Sequence, residues 1–409
     1  MRLDRRGFLG AAIAAGHAPL LAQAQTPALS PVNGWTRTAG GDGGRLLRVT
    51  SLASNGPGTL RAALAVKGPR RILFSIAGII DLQRDSLAIR DPFVTIDGAS
   101  APSPGITLIR GGISISAHDV VIRHIRVRAG ADGAPPKSGW EVDGLSTSAA
   151  RDVIVDHCSF AWATDENLSA SGPRFAGGDT VEAWRQNTSR RISFTRNIVA
   201  EGLSHASHAK GEHSKGSLIH DNVTETLIAG NLYAHNYERN QLFKGGAHAL
   251  SANNLIYDPG NRCMHYALNE EEWVGHPWTV GRLAIIGNVV RGGASTRADL
   301  PFLILEGQGD LELYARDNRY RHADGRRMAA LGIISNRAPR VIPLARPPFW
   351  PAGFKPRPAR DVEAWVLAEA GARPWDRDAV DKRIVAEVRS GGGRVIDDER
   401  EVGGYPRRR

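Results

Sequence analysis

Five asparagines recur through the middle of the chain: Asn197, Asn231, Asn254, Asn288 and Asn318, at intervals of 34, 23, 34 and 30 residues. The next residue is Ile198, Leu232, Leu255 or Val289 in the first four and Arg319 in the fifth. Periods of this length belong to solenoids and arrays, whose repeats bury their apolar faces against one another. Asparagines stacked on successive turns hydrogen-bond as a ladder. The pattern therefore predicts an asparagine ladder, with the apolar neighbours pointing into the coil. The plainer reading is that asparagine simply ends strands at turns, which it favours anyway.

Charged residues keep a similar spacing. Asp143 and Asp165 are 22 residues apart, and Lys215 and Arg239 are 24 apart. If the chain coils with that period, each pair lies on neighbouring turns about 4.8 Å apart. Short Val- and Ile-rich runs at 71–76, 93–96, 113–115, 120–127, 153–160, 191–199, 226–233, 249–257, 283–290 and 311–315 read as strands. A β-sandwich would also use short strands, but it leaves the charged spacing unexplained. The predicted fold is all-β, a single-stranded right-handed parallel β-helix. A short cap helix is expected at 56–64. After Arg346 the composition changes, and helices are expected at 361–370 and 378–389, with Asp376 or Asp378 as the cap of the second. There Val380, Ile384 and Val388 form one apolar stripe.

The first residues read as targeting sequence. Arg5-Arg6 precedes an apolar run, and Ala22-Gln23-Ala24 offers a small-residue cleavage site. This is the pattern of a twin-arginine export signal, and the run is too short to span a bilayer. The division expected is a signal peptide at 1–24, a β-helix at 25–346 and a tail at 347–409 packed on it. The product would be secreted or periplasmic and monomeric, with no membrane partner. A formal net charge of +10 suggests a polyanionic partner. Cys158 and Cys263 are the only cysteines, so no disulfide framework is expected; one bridge or two separate thiols both fit.

The candidate chemistry starts from oxygen. Glu141 and Asp143 stand at i and i+2, the same face of a strand, and Asp165-Glu166 would lie one turn on. Clusters of hard oxygen ligands suit Ca²⁺, although ordinary surface acids would look the same. Lys215 and Arg239 would each bind a uronate carboxylate. A guanidinium is normally protonated, so Arg239 can act as a base only beside other positive charge. Metal and cations together would acidify the C5–H of a bound uronate and stabilise the enolate-like state, which gives β-elimination. A hydrolase would need two opposed carboxylates; Asp221 and Asp258 stand alone. No nucleophile elbow is present. His205, His208 and His213 lack zincin spacing and read as groove-lining or structural.

Several segments together resemble the family-one polysaccharide lyases, the pectate lyases: 45–61 (RLLRVTSLASNGPGTLR), 94–99 (VTIDGA), 122–128 (IRHIRVR), 153–160 (VIVDHCSF), 161–166 (AWATDE), 381–385 (DKRIV) and 401–406 (EVGGYP). Their order covers most of the chain. The resemblance implies a right-handed parallel β-helix that cleaves polygalacturonate by Ca²⁺-dependent β-elimination. It implies that Asp143 and Asp165 are calcium ligands helped by Glu141 or Glu166. His213-x-Lys215-x-x-Leu218 is similar to the family's lysine motif, so Lys215 would bind substrate and Arg239 would be the base. Lys244 stands where the family has a second, substrate-binding arginine, and Gln241 where it has a proline. The partner implied is an acidic, polygalacturonate-like polysaccharide rather than nucleic acid. Two other readings are a non-catalytic β-helix that binds acidic glycans and a glycoside hydrolase on the same fold.

Overall fold

A computed structural model of the protein describes residues 34–334 and 339–406. The export signal expected at 1–24 and the terminal Arg407–Arg409 lie outside the described residues. Among the described residues, twenty-nine strands form three sheets of eleven, nine and nine strands. Successive strands visit the three sheets in turn: Arg151–Asp156 lies in the first sheet, Ser159–Ala161 in the second and Leu168–Ser171 in the third. Each then pairs in parallel with a strand of the next coil, as Arg151–Asp156 does with Arg190–Thr195. This is a parallel β-helix, as the spacing predicts.

Six of the expected strands are each two strands. The run at 191–199, for example, folds as Arg190–Thr195 and Ile198–Ala200. The chain turns from the first sheet to the second through one residue in the left-handed region: His124 (φ 58°), His157 (48°), Arg196 (54°), Gly230 (70°), Asn253 (55°), Gly287 (65°) or Asp317 (50°). One such residue is enough to bend the chain, and only two of the seven are glycine. The apolar pattern runs straight through the corner, which is why the sequence reads as one strand.

The ladder sits at the same corner, on the residue after the turn. Asn231 Oδ1 accepts the Asn197 backbone N–H at 2.8 Å and its side-chain N–H at 3.0 Å. Asn254 does the same for Asn231, Asn288 for Asn254, and Asn318 for Asn288. Asn197 in turn takes the Cys158 N–H at 2.8 Å. The first four are fully buried. Each amide thus satisfies buried backbone groups that the corner leaves without a sheet partner.

The apolar neighbours do not point into the coil, contrary to expectation. Because the asparagine faces inward, its successor faces outward. Ile198, Leu232, Leu255 and Val289 are covered from outside by the tail, against Val362, Val366, Ile384 and Val388. The coil itself is filled one residue later, by Val199, Tyr233, Ile256 and Val290.

The tail helices are Val362–Glu369 and Ala379–Ser390, the second capped by Asp378, which accepts the Asp381 N–H. Two buried ion pairs fix the second helix to the coil: Arg128 with Asp381 at 2.7 Å, and Arg383 with Glu201 at 2.7 Å. At the other end the helix Leu60–Ala65, capped by Thr59, lays Leu60, Ala63 and Leu64 over the core. Cys158 and Cys263 are free and buried. Among the described residues no helix is long and apolar enough to cross a membrane.

The ladder makes a stability prediction. Asn231→Ala strips partners from both neighbouring rungs inside the core and should cost about 2–4 kcal/mol. Asn318→Ala, at the half-buried end, should cost less by at least ~1 kcal/mol. Denaturant titrations compare them; a loss under ~1 kcal/mol for Asn231→Ala would mean that the ladder does not bear on stability.

Candidate functional site

The candidate residues gather at the edge of the third sheet where its strands begin. Leu145 is opposite Leu168, Glu166 bridges Lys215, and Lys215 is opposite Glu238. Asp143, Glu166, Lys215 and Glu238 therefore stand in one column on four successive coils. The coil period here is 23 residues, so the expected pairs are each one residue out of register. Asp165 lies just before the column and Arg239 just after it.

The column is tightly joined. The Glu166 N–H donates to Asp143 Oδ1 at 3.0 Å. The Arg239 guanidinium reaches back to the Glu166 carboxylate. Lys215 Nζ donates to Glu238 Oε2 at 2.5 Å. The carboxylate oxygens of Asp143, Asp165 and Glu166 lie within 4.8 Å of one another. Glu141, expected as a helper, is not in this cluster: its carboxylate accepts the Ala209 N–H at 3.0 Å and lies 3.5 Å from His208 Nδ1.

A loop before Lys215 brings imidazoles over Asp165. His213 donates Nε2–H to Asp165 Oδ1 at 2.7 Å, and His208 stacks on His213 with ring centroids 3.6 Å apart. Both rings are buried. Both Nε2 atoms face Asp165 Oδ1, at 3.7 and 2.7 Å, so the pair orients Asp165, and the three residues also lie close enough to share a metal ion. The oxygen trio is the set that fits a hard divalent cation.

Electrostatics separate the two aspartates. Burial first, then the Asp165 charge, push the Asp143 carboxyl up to about 7. Burial also opposes ionisation of Asp165, but the hydrogen bond and charge of His213, with His208 and Arg239, outweigh it and hold its pKa below the usual range. Burial lowers the Arg239 pKa, while the charges of Asp165 and Asp143 act to keep it protonated.

Lys244 closes the same strand, roughly 15 Å beyond Arg239 at the strand rise. There the structure binds it to Glu272, which Arg174 also reaches at 3.2 Å. Gln241 is the extra residue of a bulge at φ 116°, fully buried, and its amide makes no hydrogen bond. Asp221 and Asp258 are buried and engaged, Asp221 by Arg174 and Trp273, Asp258 by His235 and Ser295. They do not form the opposed pair of a hydrolase.

Three contributors escaped the sequence reading. Glu238 could have been found, since it falls 23 residues after Lys215. Glu272 sits on the 3-10 turn Glu270–Trp273, outside any repeat. The third is His265, buried opposite Leu242. Burial, then Arg239, Arg262, Lys215 and Lys244, hold its pKa well below the ordinary value, so it is a neutral ring among cations.

The Asp143 shift sets a pH dependence. A carboxyl raised from its free value near ~4 to about 7 holds a proton in the folded state that the unfolded chain releases. Stability of the chelator-treated protein should therefore fall as pH rises through that window. Asp143→Asn removes the effect, so its Tm relative to wild type should climb between pH 4 and 7. A constant difference would contradict the assignment.

No protein-family model matches the chain. Curated relatives do. The protein named probable pectate lyase C from Aspergillus flavus is 30% identical over 370 residues, covering 89% of this chain and 78% of the relative. Its namesake from Aspergillus fumigatus is 30% identical over 371 residues with the same coverage. Among solved structures, the cedar pollen major allergen jun a 1 superposes with a TM-score of 0.54 at 14% identity, covering 82% of this chain and 90% of that one. A pectate lyase bound to a hexasaccharide gives a TM-score of 0.54 at 12% identity, covering 82% and 94%. These likenesses carry the fold; the sequence identity across most of both chains carries the kinship, and the chain belongs to the pectate lyase family of enzymes.

Proposed function

We propose that this protein is a polysaccharide lyase that cleaves polygalacturonate-like acidic glycans by Ca²⁺-dependent β-elimination, with Arg239 as the base. The observation that carries the reading is the convergence of Asp143, Asp165, Glu166, Lys215 and Arg239 on one edge of the third sheet. Asp143, Asp165 and Glu166 would hold the ion; bound there, Ca²⁺ would offset most of the trio's negative charge and polarise the uronate carboxylate.

The chain's own residues do the rest. Lys215 exchanges Glu238 for the uronate carboxylate and orients the sugar. Burial already favours the neutral guanidinium, and the neighbouring carboxylates are what keep the proton on Arg239. Once their charge is engaged elsewhere, Arg239 can take the C5 proton. The C5–H pair then forms the C4–C5 double bond, and the C4–O bond breaks with the leaving oxygen taking the electrons and a proton from solvent. The buried, positive surroundings favour the enolate-like state over the free substrate.

The division into an exported leader at 1–24, a catalytic coil at 25–346 and a packed tail at 347–409 belongs to the same reading, with secretion through the twin-arginine route and action as a monomer. Incubation with polygalacturonate and Ca²⁺ should yield unsaturated, ultraviolet-absorbing ends, and excess chelator should abolish them. Arg239→Ala should lower kcat by roughly 10²–10⁴ with an unchanged circular dichroism spectrum. Saturated products, or full activity without Arg239, would refute the mechanism.

A further inference from the structure

We propose that an arginine-lined cavity between the second sheet and the tail is a second, non-catalytic site that holds carboxylates of a polyuronide chain. The identity of the glycan rests on the lyase reading above; the anion site itself does not. The cavity belongs to a different sheet from the Asp143–Asp165–Glu166 centre.

The inference starts from Arg319, which breaks the apolar succession after the asparagines. Two outward columns run along the second sheet. One reads Ile198, Leu232, Leu255, Val289 and Arg319, the other Ala200, Ala234, Tyr257, Arg291 and Arg321. The tail covers the apolar members of both. Both columns turn to arginine at the end of the sheet, where a cavity of about 570 Å³ opens between coil and tail. Its walls set Arg291, Arg319, Arg321 and Arg360 against one carboxylate, Glu363.

That carboxylate is already taken, because Arg291 binds Glu363 and lies over the Tyr257 ring. The acids flanking the other arginines along the chain are engaged as well. Asp361 lies 3.7 Å from Arg360, Asp324 meets Arg326 at 2.6 Å, and Asp317 accepts the Ala359 N–H at 2.8 Å. Arg321 donates to Gly325 O at 3.0 Å. Arg319 and Arg321 are both exposed, and neither has a carboxylate partner among the described residues. The two share one face of their strand about 6.6 Å apart, and Arg291 is directly opposite Arg321 one coil back. Like charges directly opposite destabilise a sheet. An anion between them turns that repulsion into attraction.

His322 points to a ligand independently. It lines the same cavity, is 9% exposed, and its buried Nδ1 has no hydrogen-bond partner among the described residues. An unsatisfied buried nitrogen calls for a ligand or an ordered water. The guanidiniums bind carboxylates through paired N–H···O bonds. They come from two successive coils and from the tail, spread along the cavity. That arrangement suits a chain carrying several carboxylates better than one compact ion such as inorganic phosphate.

The test is calorimetry with hexagalacturonate on the full chain, in chelator to silence the proposed calcium centre and at ~0.15 M salt to screen long-range attraction. Arg319→Glu with Arg321→Glu should weaken binding about tenfold. Arg319→Gln with Arg321→Gln, a milder change that guards against misfolding, should weaken it about fivefold. Arg45→Glu with Arg48→Glu makes the same charge change at exposed positions of the strand Arg45–Val49, and should alter binding less than about twofold. Equal losses at the two places, no loss at Arg319 and Arg321, or no binding by wild type overturns the proposal. Inorganic phosphate separates the sources: if it binds this site more tightly than the hexamer does, the glycan assignment falls. Turnover of polygalacturonate with Ca²⁺ by wild type is scored in parallel. Unsaturated product without the calorimetric difference defeats this proposal alone. No product defeats the lyase reading and leaves the calorimetry to decide on the second site.

Discussion

Everything in this protein depends on in-register stacking of parallel coils. A residue on one coil meets its partner on the next only if the register holds, and a slip of one residue would turn every side chain to the other face. The backbone ladders of three sheets set the spacing, and the asparagines at one corner fix the phase. Because Asn197, Asn231, Asn254, Asn288 and Asn318 each bind the rung before, no coil from Cys158 to Asn318 can slide without breaking buried hydrogen bonds. The lock holds Glu166, Lys215 and Glu238 in one column, and the sheet pairing of Leu145 with Leu168 and the Glu166 N–H bond add Asp143 to it. No local motif assembles it; residues almost a hundred positions apart meet because four coils are in phase.

The lock also explains why the site can concentrate charge. Bringing carboxylates and cations into a half-buried edge is unfavourable unless each finds a partner. Here nearly every charged group does: Lys215 with Glu238, Arg239 with Glu166, Asp165 with His213. Asp143 is the exception. Its partners are the Glu166 N–H and Ser146, and its pKa rises to about 7. On the proposed reading, a bound cation would supply the missing counter-charge. Packing of the tail completes the scaffold from outside the second sheet, covering the outward row of Ile198, Leu232, Leu255 and Val289.

Much of this was legible in the sequence, for physical reasons that can be named. The asparagine intervals and the spacing of Asp143–Asp165 and Lys215–Arg239 contain the coil period, so the fold and the meeting of acids with cations could be read from them. The corners could not, because most of the left-handed residues are His, Arg, Asn or Asp rather than glycine. The direction of the apolar neighbours was misread because Ile and Val serve an external interface as well as a core. Glu238 carried a readable signal in its 23-residue offset from Lys215. Glu272 did not, since it lies on an insertion between coils, where side-chain placement follows from loop packing rather than from any repeat; for the same reason His208 and His213 could be read as groove-lining or structural but their stacking over Asp165 could not.

The central claim is that separate coils form one centre around a single uronate. Its most direct test is a crystal structure of Arg239→Lys protein with a divalent cation and a short uronate oligomer, the ion identified by anomalous scattering. The account predicts the ion on the carboxylates of Asp143, Asp165 and Glu166, with one uronate carboxylate between it and Lys215. An ion held elsewhere, or a sugar lying on another face of the coil, would contradict it.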